Sequence, residues 1–151
     1  MDERVFNCKI GLKLAMLNRI SSVLTGCAAG IAALFLIEML SHVIYPIPPG
    51  LDPQKPEDLK KIMEMVPQGA LGLVLCGGFI GGLVGGIVSS IMAKENKLMS
   101  CMIMAAILTV LGAMNAFMFP HPVWFKAGIF VVYFGGAFLG NLIIKKRKKN
   151  A

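Results

Sequence analysis

The segment 76–86, Cys-Gly-Gly-Phe-Ile-Gly-Gly-Leu-Val-Gly-Gly, constrains the chain more than any other. In water each of its six glycines costs a helix roughly 1 kcal/mol relative to Ala. In a bilayer the backbone has no water to turn to, so a helix survives there. At about 100° per residue, Gly77, Gly81 and Gly85 with Gly78, Gly82 and Gly86 cover nearly half of the helix surface. Ser89 and Ala93 extend this face, while Phe79, Ile80, Leu83, Ile87 and Ile91 lie opposite. Small residues at this spacing let neighbouring backbones approach closely. The segment therefore reads as the central packing helix of a membrane bundle.

The rest of the chain agrees. It is 56% apolar and 15% charged over 151 residues, with a mean hydropathy of +0.74. Four apolar runs, roughly 20–45, 68–93, 98–119 and 123–144, match the length of about 20 residues that a bilayer crossing needs. The expected fold is all-α, one membrane domain over 1–151, with an outer loop at 46–67 and a basic tail at 145–151. Residues 5–18 repeat Phe6, Ile10, Leu14 and Leu17 at helical spacing, as an interfacial helix or as a continuation of the first span. In the outer loop, Asp52 or Lys55 can precede a short helix opened by Pro53 or Pro56. Leu59, Ile62, Met63 and Val66 share one face of it, which predicts an amphipathic surface helix lying as a lid over the bundle mouth. Further small-residue surfaces come from Gly26 and Gly30, and from Gly135, Gly136 and Gly140. Three such surfaces exceed what one small bundle obviously needs, so a homo-oligomer or a larger membrane complex is expected, with the lipid bilayer as solvent and no nucleic acid.

Of fifteen Lys and Arg, eleven fall before the first span, in the 93–97 turn or in the tail. The positive-inside rule then places both termini in the cytoplasm, and the expected location is a bacterial inner membrane. Leu24-Thr25-Gly26-Cys27 imitates a lipoprotein box, but the seven residues separating Arg19 from Cys27 are too few for a signal-peptide core, so the first span is expected to be retained. Cys8, Cys27, Cys76 and Cys101 have no paired spacing and read as small apolar side chains.

Glu38 is the only acidic residue inside any expected span, and an intramembrane acid marks a functional site by default. His42 and Tyr45 follow at helical spacing, Asn115 approaches a similar depth on the third span, and His121 stands at the rim. Three readings are open: a hydrogen-bonded network locking the first and third spans, proton or ion handling, or a metal held by Glu38, His42 and His121. Eleven methionines raise a copper reading through Met114 and Met118, but Met at both ends of the bundle is the pattern of packing. No expected span holds Arg, no CxxC is present, and no phosphate loop, Ser–His–Asp order or zinc motif occurs, so neither enzymatic activity nor a cofactor is expected.

Glu38-x-x-x-His42-x-x-Tyr45-Pro46-x-Pro48, Gly50-Leu51-Asp52-Pro53, Pro56-Glu57, Met65-Val66-Pro67-x-Gly69-Ala70 and Pro120-His121-Pro122-Val123-Trp124-Phe125 together resemble an uncharacterised family of small bacterial four-span integral membrane proteins. The resemblance runs over roughly 20–144. It implies fold and location and lends no activity. The leading expectation is a non-enzymatic component, an accessory subunit or sensor, with a polar Glu/His site in the outer half. The alternative is a small proton- or cation-coupled transporter or channel that uses Glu38.

Overall fold

The computed structural model describes residues 3–47, 49–52, 54–119 and 121–149, and in these it is helical throughout apart from short connections. In chain order the helices are α1 (Glu3–Ile44), α2 (Pro56–Met65), α3 (Gln68–Met92), α4 (Lys97–Met118) and α5 (Val123–Lys149). All but α2 are long and apolar enough to cross a membrane. The protein is a four-helix membrane bundle. Prolines punctuate it: Pro46 follows α1, Pro67 caps α3, and Pro122 accepts the N–H groups of Phe125 and Lys126 as α5 begins. In the turn between α3 and α4, Asn96 takes a left-handed conformation at φ 45° that Asn tolerates better than most residues.

The helices lie in an order that the glycines dictate. α3 runs through the middle and touches α1, α4 and α5, whereas the backbones of α1 and α5 do not approach each other. The row Gly77, Gly81, Gly85 faces α1: a Cβ on Gly81 would stand 2.8 Å from the carbonyl oxygen of Gly30, and one on Gly85 2.7 Å from that of Gly26. The row Gly78, Gly82, Gly86 faces α5. A Cβ on Gly82 would stand 2.7 Å from the oxygen of Tyr133, and one on Gly86 2.6 Å from that of Ala137. Gly136 and Gly140 answer from α5, meeting the oxygens of Phe79 and Leu83. Gly135 is turned off this surface, with Phe79 Cε2 its closest neighbour at 3.9 Å, so its expected packing role belongs to Gly136. The three glycine surfaces meet one another inside one chain, which removes the reason they gave for a second copy.

α4 lies over the α1–α3–α5 row. Met104, fully buried, fits beside Gly26 and Gly85, and Leu108 beside Gly30. With Val23, Cys27, Cys101, Ala105 and Ala137 they form a dense core toward the end that carries both termini. The polar groups there are short: Asn141 Nδ2 donates to Ser90 Oγ at 2.9 Å, and the Cys101 thiol donates to the Ala137 carbonyl at 3.1 Å.

α1 is one unbroken helix of 42 residues, about 63 Å long, so the segment 5–18 continues the first span and is not a separate interfacial helix. Asn18 marks the level where it leaves the bundle, because its Oδ1 accepts from the Lys94 N–H at 2.9 Å and its Nδ2 donates to the Met92 carbonyl at 3.3 Å. Residues before it project past the 93–97 turn with Phe6, Leu12, Leu14 and Leu17 exposed. The basic tail likewise continues α5 as far as Lys149.

At the opposite end, Lys55 caps α2 and Pro56 opens it, with Glu57 and Asp58 in its first turn. Asp52 orders the approach, its Oδ1 accepting from the Gln54 N–H at 2.9 Å. On the expected apolar face Ile62 is buried and Val66 packs against the core. The side chains of Leu59 and Met63, and Pro48, Pro53 and Pro120 of the motif segments, lie outside the described residues.

Candidate functional site

Above Leu108 the dense core gives way to a cavity of about 590 Å³ at the loop end of the bundle. Each crossing helix contributes a wall. α1 supplies Ile31, Leu34, Glu38, Ser41 and His42; α3 supplies Val74, Leu75 and Gly78; α4 supplies Leu111, Gly112 and Asn115; α5 supplies Phe125, Ile129 and Tyr133. The space exists because the glycines that draw α1 and α5 onto α3 leave those two flanks apart, and α4 does not fill the gap between them at this level.

Four of the five residues singled out from the sequence, Glu38, His42, Asn115 and His121, line this one cavity. Glu38 is half-buried, about 10 Å below Tyr45 along the helix axis. His42, one turn nearer the loops, is exposed and interacts with Glu38 through space. Tyr45 does not join them. It sits just past the end of α1, donates its N–H to the Ser41 carbonyl at 2.8 Å, and turns its hydroxyl toward Gly69, 2.6 Å from where a Cβ there would stand. Tyr45 thus closes α1 against the start of α3 and is a packing residue. Among the described residues no α2 side chain lines the cavity, and Leu59 and Met63, on the face expected to act as a lid, lie outside them.

A further wall residue, Tyr133, is not among those the sequence singles out. Its ring is buried between Gly78 and Gly112, 6% exposed, and it lies within Coulombic reach of Glu38 across the cavity. Gly112 was the available signal, since its Cβ would stand 2.8 Å from the Tyr133 ring.

His121 belongs to an aromatic cluster at the rim. Its ring stacks on Phe125 with centroids 4.6 Å apart and meets Phe119 edge-on at 6.1 Å. Trp124 lies edge-on to Phe125 at 6.0 Å, and Lys126 Nζ sits 5.0 Å over the Phe117 ring. Burial pushes the pKa of His121 below the usual histidine range, and the nearby Lys126 charge adds to this. The carbonyls of Ala116 and Phe119 pull the other way but do not prevail. Neither reaches hydrogen-bonding geometry with Nδ1, which is buried without a partner.

Among the described residues, no hydrogen bond or ion pair joins Glu38, His42 or Asn115 to a neighbouring helix. The buried network expected to lock α1 to α4 is therefore not the arrangement here. Nor do three His, Cys, Asp or Glu side chains converge as metal ligands among the described residues, so Glu38, His42 and His121 do not form a metal centre. What the site offers is an apolar chamber with one carboxyl group, two imidazoles, an amide, an aliphatic hydroxyl and a phenol on its walls. Family models, curated proteins and solved structures each yield no match to this chain.

Proposed function

We propose that this chain is a non-enzymatic component of a bacterial inner membrane, a sensor or accessory subunit that takes up a small ligand in the cavity at its loop end. The observation that carries the reading is the convergence of Glu38, His42, Asn115 and His121 on one cavity without satisfying one another. Polar groups placed only for stability are normally paired, because an unpaired group in an apolar setting is costly. A chamber of about 590 Å³ is within the range of small-molecule sites.

The exposure of Glu38 to the cavity favours a second reading, a proton- or cation-coupled transporter in which Glu38 exchanges its proton with water. One measurement bears on both. Trp124, the only tryptophan, touches the cavity wall through Phe125. Its emission is followed in lipid nanodiscs during a pH titration, in a His121→Gln background that removes the nearest titrating ring. A sigmoidal change that Glu38→Gln abolishes is expected. A flat response in His121→Gln would mean a sealed Glu38 and would remove the basis of both readings.

A further inference from the structure

The chemistry of the cavity restricts its occupant further. Most of its wall is hydrocarbon, and among the described residues Glu38 is its only acidic group. That carboxyl group has no cationic partner within ion-pair distance among the described residues. Phe119, Phe125 and Tyr133 also line the cavity, with Tyr133 within Coulombic reach of Glu38. A bare metal ion finds no ligand set here, and shedding its water in an apolar chamber is prohibitively costly. A neutral apolar molecule fills the volume but offers the carboxyl group no partner of opposite charge. An anion meets a like charge. Hydrocarbon bulk with a single positive charge complements the apolar wall and the carboxyl group together, and aromatic faces attract cations.

We propose that the cavity binds a hydrophobic organic monocation, an ammonium or phosphonium bearing aromatic or alkyl groups, with the Glu38 carboxylate as its counter-charge and Phe119, Phe125 and Tyr133 as its aromatic wall. This rests on the reading of the cavity as a ligand site and names the ligand class. The groups facing Glu38 fix how pH acts. His42 lies on its own helix, Tyr133 faces it from α5, and His121, with Lys126 behind it, stands at the rim; α3 and α4 present no charged side chain. Protonation of the Glu38 carboxylate removes the counter-charge, so acidification is expected to expel a cation.

The test uses the full chain in nanodiscs and equilibrium dialysis at about pH 8, where carboxylates are ionised, with protein-free discs to subtract partitioning into lipid. Two isosteric probes are compared, tetraphenylphosphonium and tetraphenylborate. Saturable binding of the phosphonium to the wild type and none of the borate is expected. Glu38→Gln is expected to weaken the phosphonium by at least about tenfold, the scale of one lost charge-assisted contact, whereas Glu38→Asp retains most of it. Saturable binding of both ions alike, or undiminished phosphonium binding by Glu38→Gln, overturns the cation proposal and leaves the ligand-site reading standing. Saturable binding of neither ion overturns both. Because the two probes are compared on the wild type, the proposal stays testable if a variant does not fold.

Discussion

His121 is held neutral by its surroundings, and this has a consequence of definite sign. An unfolded histidine takes up its proton near pH 6.5. In the folded protein, burial against Phe125 and the nearby Lys126 lower that value. Between the two pKa values the unfolded chain therefore binds more protons than the folded one, so stability falls as pH falls. The contribution is fully present above about pH 6.5 and is lost progressively below it, down to the folded pKa. Thermal melts in detergent at about pH 7.5 and 5.5 are expected to show a drop for the wild type that is smaller for His121→Gln. The difference between the two proteins isolates His121 from every group that both retain. Equal drops would mean that the burial of the ring is not felt by the fold.

Between helices, the closest contacts are carbonyl oxygens against glycine Cα atoms, and here substitution has a sign that depends on position. A Cβ on Gly86 would stand 2.6 Å from the Ala137 oxygen and 2.8 Å from its Cα, both rigid backbone atoms. Alanine there must push α3 and α5 apart, at a cost of about 1–3 kcal/mol typical of overpacking. Gly30→Ala does the same between α1 and α3, against the oxygen of Gly81. Gly72, also within α3, has nothing within 4 Å of its would-be Cβ, so alanine at 72 is expected to be neutral or stabilising. Melting temperatures of the three variants check this, and a Gly86→Ala protein that melts with the wild type would refute the account of the α3–α5 contact. The glycine period and the prolines made the helices themselves legible in the sequence. Which row meets which neighbour was not, because a one-dimensional period carries no information about the order of helices around α3. Similarly, Glu38, His42, Asn115 and His121 were legible as a cluster because polar residues are rare in apolar spans. Tyr133 was not, since a tyrosine in a span resembles any other large ring until Gly112 is seen beneath it. Tyr45 misled for a related reason: helical spacing put it on the face of Glu38, but the helix ends at Ile44 and its ring leaves that face.

At the scale of the whole molecule, four crossings bring both ends of the chain to the same side of the bundle, and the charge follows. Lys94 lies in the turn at that end and Lys97 opens α4, Arg4, Lys9 and Lys13 lie on the projecting part of α1 with Arg19 at its base, and the five residues 145–149 lie on the extension of α5. Lys55, Lys60, Lys61 and Lys126 are left for the loop end. An excess of this size predicts that a short-looped protein keeps its basic end in the cytoplasm, and on that expectation the cavity opens on the far side of the membrane. The native cysteines test the orientation without any substitution. Cys8 is exposed on the part of α1 that projects beyond the bundle, whereas Cys27 and Cys101 are buried in the core. Cys76 is exposed, but within the apolar membrane-spanning helix α3, where a charged reagent does not penetrate. A membrane-impermeant maleimide is therefore expected to leave the protein unlabelled in intact spheroplasts and to label a single site in inverted membrane vesicles, with Cys8→Ser abolishing that label. Labelling of Cys8 from outside intact cells would reverse the orientation. The cavity would then open on the cytoplasm, and its ligand would have to be a cytoplasmic solute.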